Sequence, residues 1–316
     1  MLLVTGSAGH LGEALVRTLR EAGHAVRGID RLSSPTTDLV GTIVDRDFVD
    51  RAVAGCDQIV HAATLHKPHV ATHSRQDFID TNITGTLNLL EAAVRANVGA
   101  FVFTSTTSTF GRALEPPPGE PAAWLTEDVR PVPKNIYGVT KVAAEDLCEL
   151  AHRNQQLPCL VLRTSRFFPE PDDDPDARAA YADANLKTNE FLYRRLDVED
   201  CVSAHLLALE HAARIGFARY IITATTPFHR EDAAALRRDA PAVVERRVAA
   251  NWREIYDRLG WRMAPAISRV YDNTRARTEL GWQPRHDFAS VVARAARGDI
   301  RSELARRIGI KGYHAS

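Results

Sequence analysis

Short apolar runs alternate with longer amphipathic ones along the first two-thirds of the chain. Residues 1–5, 25–29, 41–44, 58–63, 100–104, 159–163 and 220–223 are too short for helices and read as strands buried on both faces. Between them, Leu11, Ala14, Leu15, Thr18, Leu19 and Ala22 form one stripe at helical spacing, which predicts a helix over 11–22. Further helices are expected at about 47–54, 76–96, 136–154 and 202–212. Strand and helix alternating at this pitch predict an α/β fold, a doubly wound parallel sheet covered by helices on both faces. Past residue 227 the pattern loosens, and residues 252–261 give one more helix with a glycine stop.

Composition excludes several classes. Forty Lys and Arg balance forty Asp and Glu, so the basic excess of a nucleic-acid binder is missing. No run approaches the roughly 18–20 apolar residues of a membrane span. Cys56, Cys148, Cys159 and Cys201 are widely spaced, with no C-x-x-C. They read as buried thiols of a cytoplasmic protein. His66, His69 and His73 lie close together, but without a helix or a Cys or Asp partner no metal site is expected.

Three constellations carry chemistry. The first strand runs into Gly6-Ser7-Ala8-Gly9-His10-Leu11-Gly12, a glycine turn opening a helix. Such a turn lets backbone N–H groups approach a pyrophosphate at the positive helix end. Asp30 closes the second strand, where an acid accepts hydrogen bonds from ribose hydroxyls and repels a 2′-phosphate. Arg31 beside it would favour that phosphate. The cofactor expected is therefore NAD, with NADP possible. Next, Tyr137 and Lys141 stand four apart on one helix face, where an ammonium lowers a phenol toward working pH and equips it for acid/base work. The third piece is the hydroxyl-rich turn Thr104-Ser105-Thr106-Thr107-Ser108-Thr109 directly after a buried strand.

In this order the motifs resemble the extended short-chain dehydrogenase/reductase family, the group of nucleotide-sugar epimerases and dehydratases. The resemblance also rests on His61-Ala62-Ala63, Asn82 in TNITGTLNLLEAA, Phe110-Gly111, Arg195 to Asp200, and residues 272–284. It implies a Rossmann-type NAD(P)-binding domain over 1–165, rejoined by about 197–226. A smaller C-terminal α/β substrate lobe and tail would comprise 166–196 and 227–316. Tyr137 would be the acid/base and Lys141 its partner on the nicotinamide ribose. The catalytic hydroxyl falls on Thr106, with Ser105 as the neighbouring candidate. Ala62, Ala63, Thr64 and Thr104 would line the cofactor, and Asn82 would fix a strand or loop. The family's adenine-contacting acid is replaced by Thr42, which leaves backbone or Asp45 for that task.

The dehydratases' Asp-Glu pair is replaced by Thr107 and Ser108, so that reaction is not expected. The segment between Arg166 and Arg195 lacks the family's nucleotide-diphosphate clamp and carries the acidic run Asp172, Asp173, Asp174 and Asp176. Substrate contacts are expected from His66, Ser105, Thr107 and Arg166. Residues 112–124 would be a flap or a surface connection, and the arginines from Arg294 to Arg307 a solvated helix. The resemblance thus implies reversible hydride transfer at a secondary alcohol or ketone of a polar, sugar-like small molecule. The alternatives are a 4-epimerase with retained NAD and, further off, a cofactor-sensing protein without activity. Surplus apolar residues on 76–96 predict a homodimer.

Overall fold

The computed structural model describes residues 1–172, 174–248 and 252–312. Seven strands form one parallel sheet: β1 (Leu2–Thr5), β2 (Val26–Asp30), β3 (Leu39–Val40), β4 (Gln58–His61), β5 (Ala100–Thr106), β7 (Cys159–Thr164) and β8 (Phe217–Ile222), with β6 belonging elsewhere. Their order is β3-β2-β1-β4-β5-β7-β8. The chain therefore works outward from β1 in one direction, returns to β4 and continues in the other. A crevice opens beyond the strand ends at that reversal.

The period-two alternation of each strand decides which helices cover which face. Leu2, Val4, Val60, Val102, Leu160 and Leu162 pack against α1 (His10–Glu21) and α8 (Val198–Ile215). Leu3, Ile59, Phe101, Phe103 and Val161 pack against α2 (Arg46–Val53), α4 (Gly85–Arg95) and α5 (Ile136–Gln155). Each such side chain, taken fully from water, contributes roughly 1.5–3 kcal/mol. None of the described helices is long and apolar enough to cross a membrane.

Three expectations need correction. The third strand is Leu39–Val40, not 41–44. Thr42 and Ile43 instead line the crevice, and a Cβ on Gly41 would strike the Phe48 ring. The long helix over 76–96 is interrupted: α3 (Arg75–Ile79) passes through a wide π turn, Asp80–Thr84, into α4. Such turns gather at functional positions, and this one carries Asn82. Finally, residues 112–124 are not merely a connection. They lead into β6 (Ala123–Leu125), which pairs with β9 (Arg269–Tyr271) in a second, two-stranded sheet. Ala122, Phe191, Phe228, Val244, Trp252 and Phe288 form a separate core behind that sheet.

Candidate active site

The glycine turn is sterically obligatory. Gly6 has φ +73°, and a Cβ there would lie 2.8 Å from the Ala63 nitrogen; one on Gly12 would lie 1.9 Å from the Gly6 carbonyl oxygen. Gly9 caps α1 without a side chain, so the first N–H groups of the helix face the crevice uncovered. Asp30 is braced at the end of β2, its carboxylate accepting from the Ala8 N–H at 3.0 Å and the Leu32 N–H at 2.9 Å. One cavity of about 650 Å³ runs from these residues past Arg31, Thr42 and Ile43 to Thr106 and Tyr137. His10, Leu11, Ala62, Ala63, Thr64 and Thr104 also line it. A tight glycine approach, an open helix N-terminus and a carboxylate at the β2 end fit a dinucleotide.

Asp45 lies elsewhere. It caps α2 by accepting from the Phe48 N–H at 3.1 Å and does not line the cavity. Thr42 and Ile43 hold the position that sequence reasoning offered to it. Ala62 and Ala63 owe their place to Thr5, whose hydroxyl accepts from both their N–H groups at 3.2 and 3.0 Å. Asn82 ties the loop after β4 to α5: its amide accepts from Thr64 Oγ1 and the Leu65 N–H, and donates to the Leu65 carbonyl and Thr140 Oγ1.

Asn135 starts α5 by accepting from the Gly138 N–H at 3.0 Å, which sets Tyr137 and Lys141 one turn apart. Tyr137 reaches the cavity wall, which Thr106 also lines. Its acidity differs from expectation: burial pushes the phenol up to about 12, with the Thr106 side chain opposing. Lys141 does not line the cavity. Its ammonium donates to the Thr104 carbonyl at 2.7 Å and sits 4.0 Å above the Phe103 ring. Burial pulls the lysine down to about 7, against the nearby Glu145 carboxylate. A lysine turned to a carbonyl and this far desolvated leaves the tyrosine unassisted.

The neighbouring hydroxyls divide by direction. Ser105 turns inward to Glu145, and Thr104 Oγ1 pairs across the sheet with His205 Nε2 at 2.9 Å. Thr107 and Ser108 line the cavity beside Thr106. His66 also lines it, stacked on Phe168 and edge-on to His69, which in turn meets His73. Among the described residues no group of three or more His, Cys, Asp or Glu side chains is arranged to hold a metal.

Across the cleft, α7 (Asp183–Glu190) presents Asp183, Lys187 and Glu190 to the same cavity. Sequence reasoning passed over them, although their i, i+4, i+7 spacing marks one helix face. Glu190 is buried and receives Arg195 at 2.7 Å, Arg194 at 2.5 Å and Arg166 at 3.0 Å. Arg166 also pairs with Asp172. Arg166 thus lines the cavity already engaged by two carboxylates. In the acidic run, Asp174 caps α6 (Pro175–Ala180), and Asp173 lies outside the described residues. Of the late arginines, Arg297, Arg301, Arg306 and Arg307 are exposed, whereas Arg294 turns to His286 and Asp197.

Fold and cleft together define a dinucleotide-binding α/β protein with a tyrosine-bearing helix at the cofactor crevice. The family model for the NAD dependent epimerase/dehydratase family matches residues 2–222, and the chain belongs to that family. It is 32% identical to a dTDP-glucose 4,6-dehydratase of Streptomyces niveus, covering 91% of this chain and 89% of that one. It is 27% identical to a 3-beta-hydroxysteroid dehydrogenase of Mycolicibacterium neoaurum, covering 90% and 87%. A crystal structure of a short-chain dehydrogenase/reductase superfamily protein from Agrobacterium tumefaciens with bound NAD shares the fold, with TM-score 0.69, 24% identity and 97% of each chain covered.

Proposed function

We propose that the protein catalyses NAD-dependent, reversible oxidation of a secondary alcohol on a small polar substrate. The carrying observation is that Tyr137 and Thr106 line the same cavity that begins at the glycine turn. When bound, NAD supplies the hydride acceptor. The chain's own residues manage the proton: Tyr137 takes it from the substrate hydroxyl, and Thr106 holds the same oxygen in line. For Tyr137 to do this near neutral pH, its phenol must fall from about 12, which requires the Lys141 ammonium one turn away to leave the Thr104 carbonyl and turn toward the phenol. Hydroxyls of Thr107, Ser108 and Ser165 beside the paired charges of α7 suit a polyhydroxylated, sugar-like substrate. The turn after Thr106 offers hydroxyls where elimination needs carboxylates, so the likeness to a dehydratase extends to the scaffold and not to that chemistry. Four buried free cysteines support a cytoplasmic location.

The test is reduced-nicotinamide absorbance with added NAD across a panel of sugars, polyols and other secondary alcohols. Substrate-dependent NADH formation is expected, and Tyr137→Phe should lower it by about 10²–10⁴-fold while NADH binding persists. Turnover without added nucleotide by protein that retains NAD would identify a 4-epimerase instead.

A further inference from the structure

The C-terminal segment reaches the glycine turn, and nothing in the proposed chemistry uses it. Helix Glu303–Ile308 is fixed to α8, with Ser302 Oγ donating to Asp197 at 2.6 Å and the Leu304 N–H donating to Glu199 at 3.0 Å. Ile308 is buried in the core that α1 helps to form. Gly309, at φ +65°, then turns the chain out of the helix. Arg307 pairs with Glu21, the last residue of α1, whereas Lys311 pairs with Glu13 in its opening turns. Those eight residues of α1 span about 12 Å, which four extended residues cover. The segment therefore runs along α1 toward its N-terminus.

There it meets the loop after β7. The Lys311 N–H donates to Glu170 Oε1 at 3.0 Å, and the same oxygen lies 3.0 Å from His10 Nε2 in the glycine turn. Phe168 of that loop lies edge-on to the His10 ring. His10, Glu170 and Lys311 all line the cavity.

We propose that residues 309–312 belong to the cofactor site, with the Lys311 ammonium binding the pyrophosphate of the dinucleotide. The inference rests on the assignment of this cleft to a dinucleotide. Lys311 brings a positive charge to the opening turns of α1, where the glycine turn presents its N–H groups. Glu13 can release it, because Arg17 holds the same carboxylate at 2.6 Å. The backbone link through Glu170 keeps the segment in place while the side chain moves.

Fluorescence titration of NADH, ADP-ribose and adenosine into the full-length chain tests this. Lys311→Ala should weaken NADH and ADP-ribose by about tenfold, the loss of one partly screened charge-assisted contact. Adenosine affinity should hold, the salt dependence of NADH binding should flatten, and Lys311→Arg should restore both. NADH binding by Lys311→Ala within about twofold of the unaltered protein would overturn the proposal, being no more than a surface pair contributes. Equal losses for adenosine and ADP-ribose would overturn it too, since adenosine carries no phosphate. Failure of the unaltered chain to bind NADH would instead remove the cofactor assignment on which it rests.

Discussion

The Ser105 hydroxyl donates to Glu145 Oε1 at 2.5 Å, deep between β5 and α5. Glu145 is shared with Arg163 at 2.7 Å and Arg219 at 3.3 Å, so the serine oxygen is held inside a buried ion network. Strand alternation then sends the next side chain the other way. Thr106 faces the cleft and Tyr137. Both hydroxyl-bearing residues line the cavity, and the Glu145 bond of Ser105 favours Thr106 as the one that meets a substrate.

That division gives different outcomes for two substitutions. Ser105→Ala should lower stability by about 1.5–3 kcal/mol, the worth of a hydrogen bond to a charged group, and leave turnover nearly intact. Thr106→Val loses the bond its hydroxyl accepts from the Ser108 N–H, a cost of about 0.5–2 kcal/mol, and should reduce turnover by about 10²–10³-fold. Calorimetric melting beside steady-state kinetics separates them. Reversed behaviour would move the catalytic role to Ser105.

Much of this was legible because local chemistry dictates it. The glycine turn, Asp30 and the Tyr137–Lys141 spacing depend on neighbours close in sequence, and the structure brings them to one end of the sheet. What escaped depends on distant partners. Asp45 has the chemistry of an adenine contact, yet the first turn of α2 takes its carboxylate as a cap. Lys141 has the right spacing from Tyr137, but its direction is set by the Thr104 carbonyl thirty-seven residues away. The π turn at Asn82 rotates the stripe between α3 and α4, and in the sequence this reads only as apolar residues on more than one face of a single helix. Lys311 could not be placed at all, because its partner Glu13 lies 298 residues earlier.

Asp30 predicts cofactor choice. Both carboxylate oxygens are braced by backbone N–H groups, so the negative charge cannot swing away from a ribose at the end of β2. A 2′-phosphate placed there meets that charge directly, with Arg31 as the compensating cation. NAD should bind more tightly than NADP, and Asp30→Ala should narrow the gap. Tighter NADP in the unaltered protein, by fluorescence titration, would give the deciding role to Arg31.

Glu190 predicts how the fold responds to acid. Burial would raise its pKa, but Arg194, Arg195 and Arg166 outweigh that and hold it at about 2, against 4.5 for an ordinary glutamate. As pH falls from about 4.5 to about 2 the unfolded chain takes up this proton and the folded one does not. Stability present above that window is lost within it. Glu190→Gln should flatten the acid limb of a urea-midpoint profile. It should also cost about 3–5 kcal/mol at neutral pH by stranding buried guanidiniums. An unchanged acid limb would remove Glu190 from this role.

The surplus apolar residues on α3 and α4 divide in two. Phe78, Leu89 and Leu90 are buried, while Ile79 and Leu87 are 36% and 39% exposed. On α5, which packs against α4, Val139 and Leu150 are 51% and 40% exposed. Exposed apolar side chains on two packed helices would suit cover by a second copy of the chain. Sedimentation at micromolar concentration should show a homodimer, and Leu87→Glu with Val139→Glu should shift it to monomer. A monomeric unaltered protein would refute the pairing.

The substrate end of the cleft is expected to refuse nucleoside diphosphates. Arg166, a cation of the cavity wall, is held by Asp172 and by Glu190 at 3.0 Å. Arg194 and Arg195 are committed to Glu190, and Lys187 to Asp183 and the Pro169 carbonyl. Burial raises the Asp172 carboxyl, but Arg166 and the Asp174 N–H bring it down to about 2, so it stays ionised at neutral pH. A diphosphate entering here would have to displace that carboxylate and then lie beside it. Charge-assisted contacts to phosphate are roughly twice as strong as neutral hydrogen bonds, and Arg166, Arg194, Arg195 and Lys187 offer none without displacing a present partner. Calorimetry with UDP-glucose and UDP-glucuronate, with NAD present, should show no micromolar binding to the unaltered protein. Asp172→Asn removes the competing charge, so any affinity for these ligands should rise with it. Micromolar binding by the unaltered chain, with interconversion of the sugars in nucleotide-free buffer, would reverse the order of the two reactions and make the epimerase the better reading.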